Sequence, residues 1–125
     1  MIAFDTNYLV RFLTQDDPEQ SAVVTTTIQA EIEADRQIRI YDLVLLETCW
    51  VLSSVYQISK AQWLMILENL LDDALFVFDD AARLRLALER YRQGKADFGD
   101  YLIWARAKTE KHTLLTFDKK LKRDL

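Results

Sequence analysis

The sequence predicts an α/β fold in which a central, mostly parallel sheet is flanked by helices on both faces. Three observations carry this expectation. Short apolar runs with strand character alternate with longer stretches of helical periodicity, tight hairpin signals such as Asn-Gly are absent, and most strand-like runs end at an aspartate that can start a helix. Strands separated by helices need crossover connections and therefore pair in parallel, and such sheets build their sites at the carboxyl ends of the strands. With 125 residues, 50% of them hydrophobic, and only two glycines and one proline, the chain is expected to form one globular domain. Linker-rich, collagen-like and disordered classes are excluded.

Ile2, Ala3 and Phe4 predict a strand ending at Asp5, and Leu9, Val10 and Leu13 then recur at helical spacing. Asp17 with Pro18 behind it opens a second helix over Val23, Val24, Ile28 and Ile32, to about Ala34. Gln37 to Tyr41 alternates polar and apolar as a strand does, and Asp42 is the expected cap of a helix carrying Leu43, Leu46, Trp50 and Val51. Ser59 and Gln62 form a capping box for a helix bearing Trp63, Leu64, Ile66, Leu67, Leu70 and Leu71. Leu75 to Phe78 reads as a strand, and Asp79 or Asp80 starts a helix that Gly94 stops. Asp97 caps a helix with Tyr101, Leu102, Ile103 and Ala105, running to about Lys111. Thr113 to Phe117 is the expected last strand, and Asp118 opens a short basic helix.

The formal net charge of −4 conceals a polarity. Residues 1–82 carry 4 basic and 14 acidic side chains, whereas residues 83–125 carry 12 and 6. The basic second part is either a set of solvated helix faces or a surface for a polyanion. No apolar run reaches the length of a membrane helix, and Met1 to Phe4 lacks the basic lead of a signal peptide. Cys49 is the one cysteine and sits among apolar residues, so a buried thiol in a reducing, cytoplasmic compartment is expected. His112, the one histidine, is expected at a solvated helix end. There is no Gly-rich phosphate cradle.

What remains to be explained is a set of acids. Glu47 has Leu43, Val44, Trp50 and Val51 at its helical neighbours, so it either needs a cation to offset burial or reaches water at the rim of its helix. Asp5 and Asp118 each follow a strand-like run and could be plain helix caps. Asp100 follows Asp97 by one turn, and a helix start needs only one such cap. Acids after strands and in first helical turns would converge at one end of a parallel sheet. Like charges packed together repel by about 4 kcal/mol per close pair at an effective dielectric near 20. An oxygen-only donor set that survives such repulsion favours Mg²⁺ or Mn²⁺.

These segments resemble the PIN-domain ribonucleases and, within them, the VapC-type toxins of toxin–antitoxin pairs. The resemblance rests on Ile2-Ala3-Phe4-Asp5-Thr6-Asn7, on Asp16-Asp17-Pro18-Glu19-Gln20, on Leu45-Leu46-Glu47, on Asp97-Phe98-Gly99-Asp100-Tyr101-Leu102-Ile103, and on Leu115-Thr116-Phe117-Asp118. It implies that Asp5, Glu47, Asp100 and Asp118 form an acidic site for Mg²⁺ or Mn²⁺, with Asp97 as an accessory acid. Asn7 and Thr116 fall where such proteins place polar groups that orient carboxylates and water. Trp104 departs from the small residue usual at its position; core packing is the preferred role and base stacking the other. The resemblance further implies an RNA substrate cut to 5′-phosphate and 3′-hydroxyl ends, an antitoxin partner that blocks the site, and a homodimer. Leu64, Leu67 and Leu71 could serve that dimer or simply the core.

Two other functions compete. A phosphoaspartyl enzyme with Asp5 as nucleophile would want a second acid two residues on, where this chain has Asn7. A catalytically inactive PIN-like domain that binds RNA or protein is the stronger competitor.

Overall fold

Crossovers and strands follow one another along the chain as the alternation of patterns requires. The computed structural model describes residues 1–125 and contains three strands, β1 (Ile2–Ala3), β2 (Ile38–Ile40) and β3 (Phe76–Phe78). Its helices are α1 (Thr6–Thr14), α2 (Pro18–Glu33), α3 (Asp42–Ser54), α4 (Lys60–Asp72), α5 (Ala81–Gln93), α6 (Phe98–Thr109) and α7 (Lys119–Lys122). They fall into two compact units, Met1–Asp79 and Asp80–Leu125.

The first unit holds the sheet, in the order β1-β2-β3 with both pairings parallel. Ile2, Ile38 and Phe76 share one register position, and Ile40 pairs with Phe78, so these side chains line one face. Ile38 and Ile40 are fully buried there. The opposite face carries Ala3, Arg39 and Val77, and the Arg39 guanidinium crosses to the Phe78 carbonyl at 2.8 Å. Phe76 packs against both Phe4 and Phe12, and Leu9, Leu45, Leu52, Trp63 and Leu67 complete the core of this unit. In the second unit α5 packs along α6 around Leu84, Ala87, Tyr91, Phe98, Tyr101 and Ala105.

Several expectations are corrected. Thr113 to Phe117 is not a strand: its backbone makes no ladder, and Leu115 and Phe117 are exposed. An apolar run becomes a strand only when a neighbour accepts its hydrogen bonds, and no local pattern reports that neighbour. Asp42 does not cap α3. Tyr41 holds the N-cap position, and the Asp42 N–H is capped from a distance by Asp79 Oδ2 at 2.9 Å. In α2 only Val24 of the expected apolar face is buried, while Val23 and Ile32 face solvent and Glu31 is buried in their place, paired with Arg36 at 2.8 Å. Leu64 and Leu67 belong to the core, so they form no dimer face. Trp104 is buried as preferred, with the Arg90 guanidinium and the Lys108 ammonium over its ring. No helix is long and apolar enough to cross a membrane.

Candidate functional site

Parallel pairing fixes where the first unit collects its acids. Asp5, Asp42 and Asp79 all follow the carboxyl ends of strands and therefore lie along one edge of the sheet. Asp5 is the N-cap of α1, and its Oδ1 accepts the Tyr8 N–H at 2.9 Å. The next residue, Thr6, donates its hydroxyl to Glu47 Oε1 at 2.8 Å, which ties the start of α1 to the middle of α3. The fold thus ties Thr6, the chain neighbour of Asp5, to Glu47 from 41 residues away, through a hydroxyl whose role the sequence pattern did not single out. The one sign of it was the polar run Asp5-Thr6-Asn7 after an apolar strand. Asp5 and Asn7, with Tyr8, Arg11, Gln20 and Val24, line a cavity of about 220 Å³.

Glu47 is not buried. Of its four apolar neighbours on α3, Val44 and Val51 turn inward while Leu43 and Trp50 share its exposed face, so the carboxylate stays in water and the apolar setting belongs to the surface. Beside this edge a second polar cluster closes the turn from α1 to α2. Arg11 donates to Gln20 Oε1 and to Asp16 Oδ1, and the Tyr56 hydroxyl donates to Asp16 Oδ2 at 2.6 Å. The Tyr56 and Thr14 hydroxyls hold the Asp16 carboxyl below the usual carboxylate range, and the Tyr56 hydrogen bond raises Arg11. This cluster is fully engaged within the protein and serves as a clamp.

In the second unit Asp97 caps α6, and its backbone N–H donates to Asp100 Oδ2 at 3.1 Å. Asp118 caps α7 through Oδ1, which accepts the Leu121 N–H at 2.9 Å, while the Asp118 N–H donates to the Thr116 hydroxyl at 3.0 Å. His112 is exposed and Cys49 is a buried thiol, as expected.

One property unites Asp5, Glu47, Asp100 and Asp118. Each commits a single carboxylate oxygen to a local backbone N–H or hydroxyl donor, keeps the other uncommitted, and enters no ion pair, although the chain has 16 lysines and arginines. Hard oxygen donors held in place and left without cations fit a divalent ion such as Mg²⁺. Within either unit, no group of three or more such side chains lies close enough to hold an ion by itself.

A family model described as PIN domain matches residues 2–123, nearly the whole chain and both units. Comparison with curated proteins finds no match.

Proposed function

Because the chain belongs to the PIN domain family, whose members are generally metal-dependent nucleases, we propose that it is an endoribonuclease and the VapC-type toxin of a toxin–antitoxin pair. The observation that carries this reading is the set of four carboxylates, each half committed and none neutralised by a lysine or arginine. In this proposal Asp5, Glu47, Asp100 and Asp118 are the carboxylates of the nuclease that would hold Mg²⁺ or Mn²⁺. A divalent ion held by these carboxylates would supply Lewis-acid stabilisation of charge on the phosphodiester and a lowered pKa for water; the proposed products carry 5′-phosphate and 3′-hydroxyl ends.

The protein's part is to keep those oxygens in place before substrate arrives. The Thr6 hydroxyl and the Tyr8, Asp97 and Leu121 N–H groups each fix one oxygen of one carboxylate, so little reorganisation remains at the moment of reaction. Thr116 holds the Asp118 backbone, Asn7 lines the same cavity as Asp5, and Asp97 supports Asp100. Arg83, Arg85, Lys108, Lys119, Lys120 and Lys122 supply phosphate contacts. The partners are RNA, a cognate antitoxin and a second copy of the chain, in the cytoplasm. A second reading, a PIN-like domain that binds RNA or protein without cutting it, draws support from the lack of a three-acid group within either unit.

The deciding experiment is cleavage of structured RNAs in Mg²⁺ or Mn²⁺ by the wild type beside Asp5→Asn and Asp100→Asn. Each substitution is expected to lower the rate by about 10² or more, as removal of one electrostatic group from a preorganised site does. Chelation with EDTA should abolish cleavage. Equal activity in all three proteins would assign it to a contaminant. RNA binding with no cleavage by the wild type would leave the second reading.

A further inference from the structure

The second unit ends in a helix that cannot hold itself in place. α7 has only four residues, Lys119–Lys122, with Asp118 as its N-cap, and a single turn does not offset the cost of its own nucleation. Lysines at its first two positions oppose the backbone dipole, and Leu121 is its one buried residue. Hydrogen bonds among Thr116, Asp118, Leu121 and Lys122 stay inside the segment, so they fix its shape and not its location. Its hydrogen bonds to the helices beneath converge on Asp124. The Asp124 carbonyl accepts Arg90 Nη2 from α5 at 2.8 Å, and the Asp124 carboxylate accepts the Tyr101 hydroxyl from α6.

Tyr101 is fully buried, and the Asp124 side chain is 19% exposed. The same tyrosine oxygen accepts the N–H of Ala96, the residue before Asp97, whose own N–H donates to Asp100 Oδ2. Gly94 closes over the pair, since a Cβ there would stand 2.7 Å from Asp124 Oδ2. One oxygen atom is therefore braced on one side against the turn that opens α6 at Asp97 and Asp100, and on the other against the tail that carries Asp118. We propose that Tyr101 and Asp124 are positioning residues, whose mutual hydrogen bond fastens α7 to α6 and so sets the place of the Asp118 carboxylate. The fastening stands on these contacts alone, and its bearing on catalysis rests on the nuclease reading above. Each residue acts through Asp118 and not on the substrate.

The test uses the full chain with Asp124→Ala, Asp124→Asn and Tyr101→Phe. Limited trypsin digestion reports on α7 without substrate or metal, because cutting within a folded segment follows the population of its open form. In Asp124→Ala, cutting after Lys119, Lys120 and Lys122 should become about tenfold faster, the scale of a lost hydrogen bond to a charged group, while cutting after Arg83 and Arg85 in α5 keeps the wild-type rate. Asp124→Asn retains a carbonyl that can accept the Tyr101 hydroxyl and should return cutting to within about threefold of wild type. Tyr101→Phe should open the same lysines, and if that core variant does not fold, the two Asp124 variants decide. In RNA cleavage Asp124→Ala should lose about tenfold, mainly in kcat, and Asp124→Asn should regain most of it. Unchanged cutting after the α7 lysines in Asp124→Ala would overturn the proposal and spare the nuclease reading. Equal acceleration in α5 and α7 would overturn it as well, since it would mark a general loss of stability. Opening confined to α7 with kcat at the wild-type value would remove the positioning role. Opening confined to α7 beside a wild type that cuts no RNA would uphold the fastening and sink the nuclease.

Discussion

The hydroxyl of Tyr101 shows how much one buried polar atom can organise. It accepts the Ala96 N–H at 3.1 Å and donates to the Asp124 carboxylate, whose chain carbonyl also receives the Arg90 guanidinium at 2.8 Å. Gly94 is required here by space and not by backbone freedom: its φ is −92°, but a Cβ would lie 1.8 Å from the Tyr101 oxygen. Gly94→Ala is expected to destabilise the protein by about 1–3 kcal/mol in urea unfolding. Tyr101→Phe should cost a similar amount, about 1–3 kcal/mol, by stranding its partners. The two share one oxygen, so the double variant should be less unstable than the sum of the single effects. Burial, followed by the Asp124 hydrogen bond, raises the Tyr101 pKa above its ordinary 10.0. The native state therefore keeps this proton longer than the unfolded chain, and the stability it confers is present below pH 10.0 and lost as pH rises through the raised value. Glu31 behaves in the opposite sense, because the Arg36 hydrogen bond lowers its pKa from 4.5. Its contribution is present above pH 4.5 and lost as pH falls through the lowered value, an acid limb that Glu31→Gln should flatten in a thermal-melt series against pH.

At the scale of elements, beginnings and ends obey different chemistry. Asp5, Asp17, Ser59, Asp80 and Asp118 start their helices by accepting backbone N–H groups from side chains, and these local rules are why the starts were legible. The ends were not. In α2 the Arg36 N–H bonds Glu31 and the Asp35 N–H bonds Ile32; in α6 the His112 N–H bonds Ala107 and the Lys111 N–H bonds Lys108. This reversal normally uses glycine, but here Asp35 and Lys111 adopt φ of 54° and 61°. Lys111→Gly is accordingly expected to stabilise the protein by up to about 1 kcal/mol, measured as a shift in urea midpoint with unchanged m-value. The cap that Asp79 gives to α3 joins residues 37 apart and has no local signature. The exposure of Trp50 and Leu43 had no sign in the sequence, because α3 is apolar nearly all round and periodicity cannot orient such a helix.

For the whole molecule, the shift from acidic to basic composition near residue 82 almost coincides with the boundary between the two units at Asp79 and Asp80. If all six proposed phosphate contacts operate, the log–log slope of RNA affinity against salt should be about −4, and Lys119→Glu with Lys120→Glu should reduce its magnitude by about 1.4 or more. The α/β class and the parallel sheet were legible because hydrophobic periodicity and strand-ending aspartates repeat along the chain. Of the site, residue types were legible; the pairing of Glu47 with Thr6 was not, since it depends on how α1 packs along α3. The unladdered stretch Leu114-Leu115-Thr116-Phe117 leaves Phe117 completely exposed, with its backbone hydrogen bonds unclaimed. Such a segment is a template for edge-to-edge association and amyloid growth. Concentrated protein should therefore develop turbidity and thioflavin fluorescence on standing, and Phe117→Lys should suppress both.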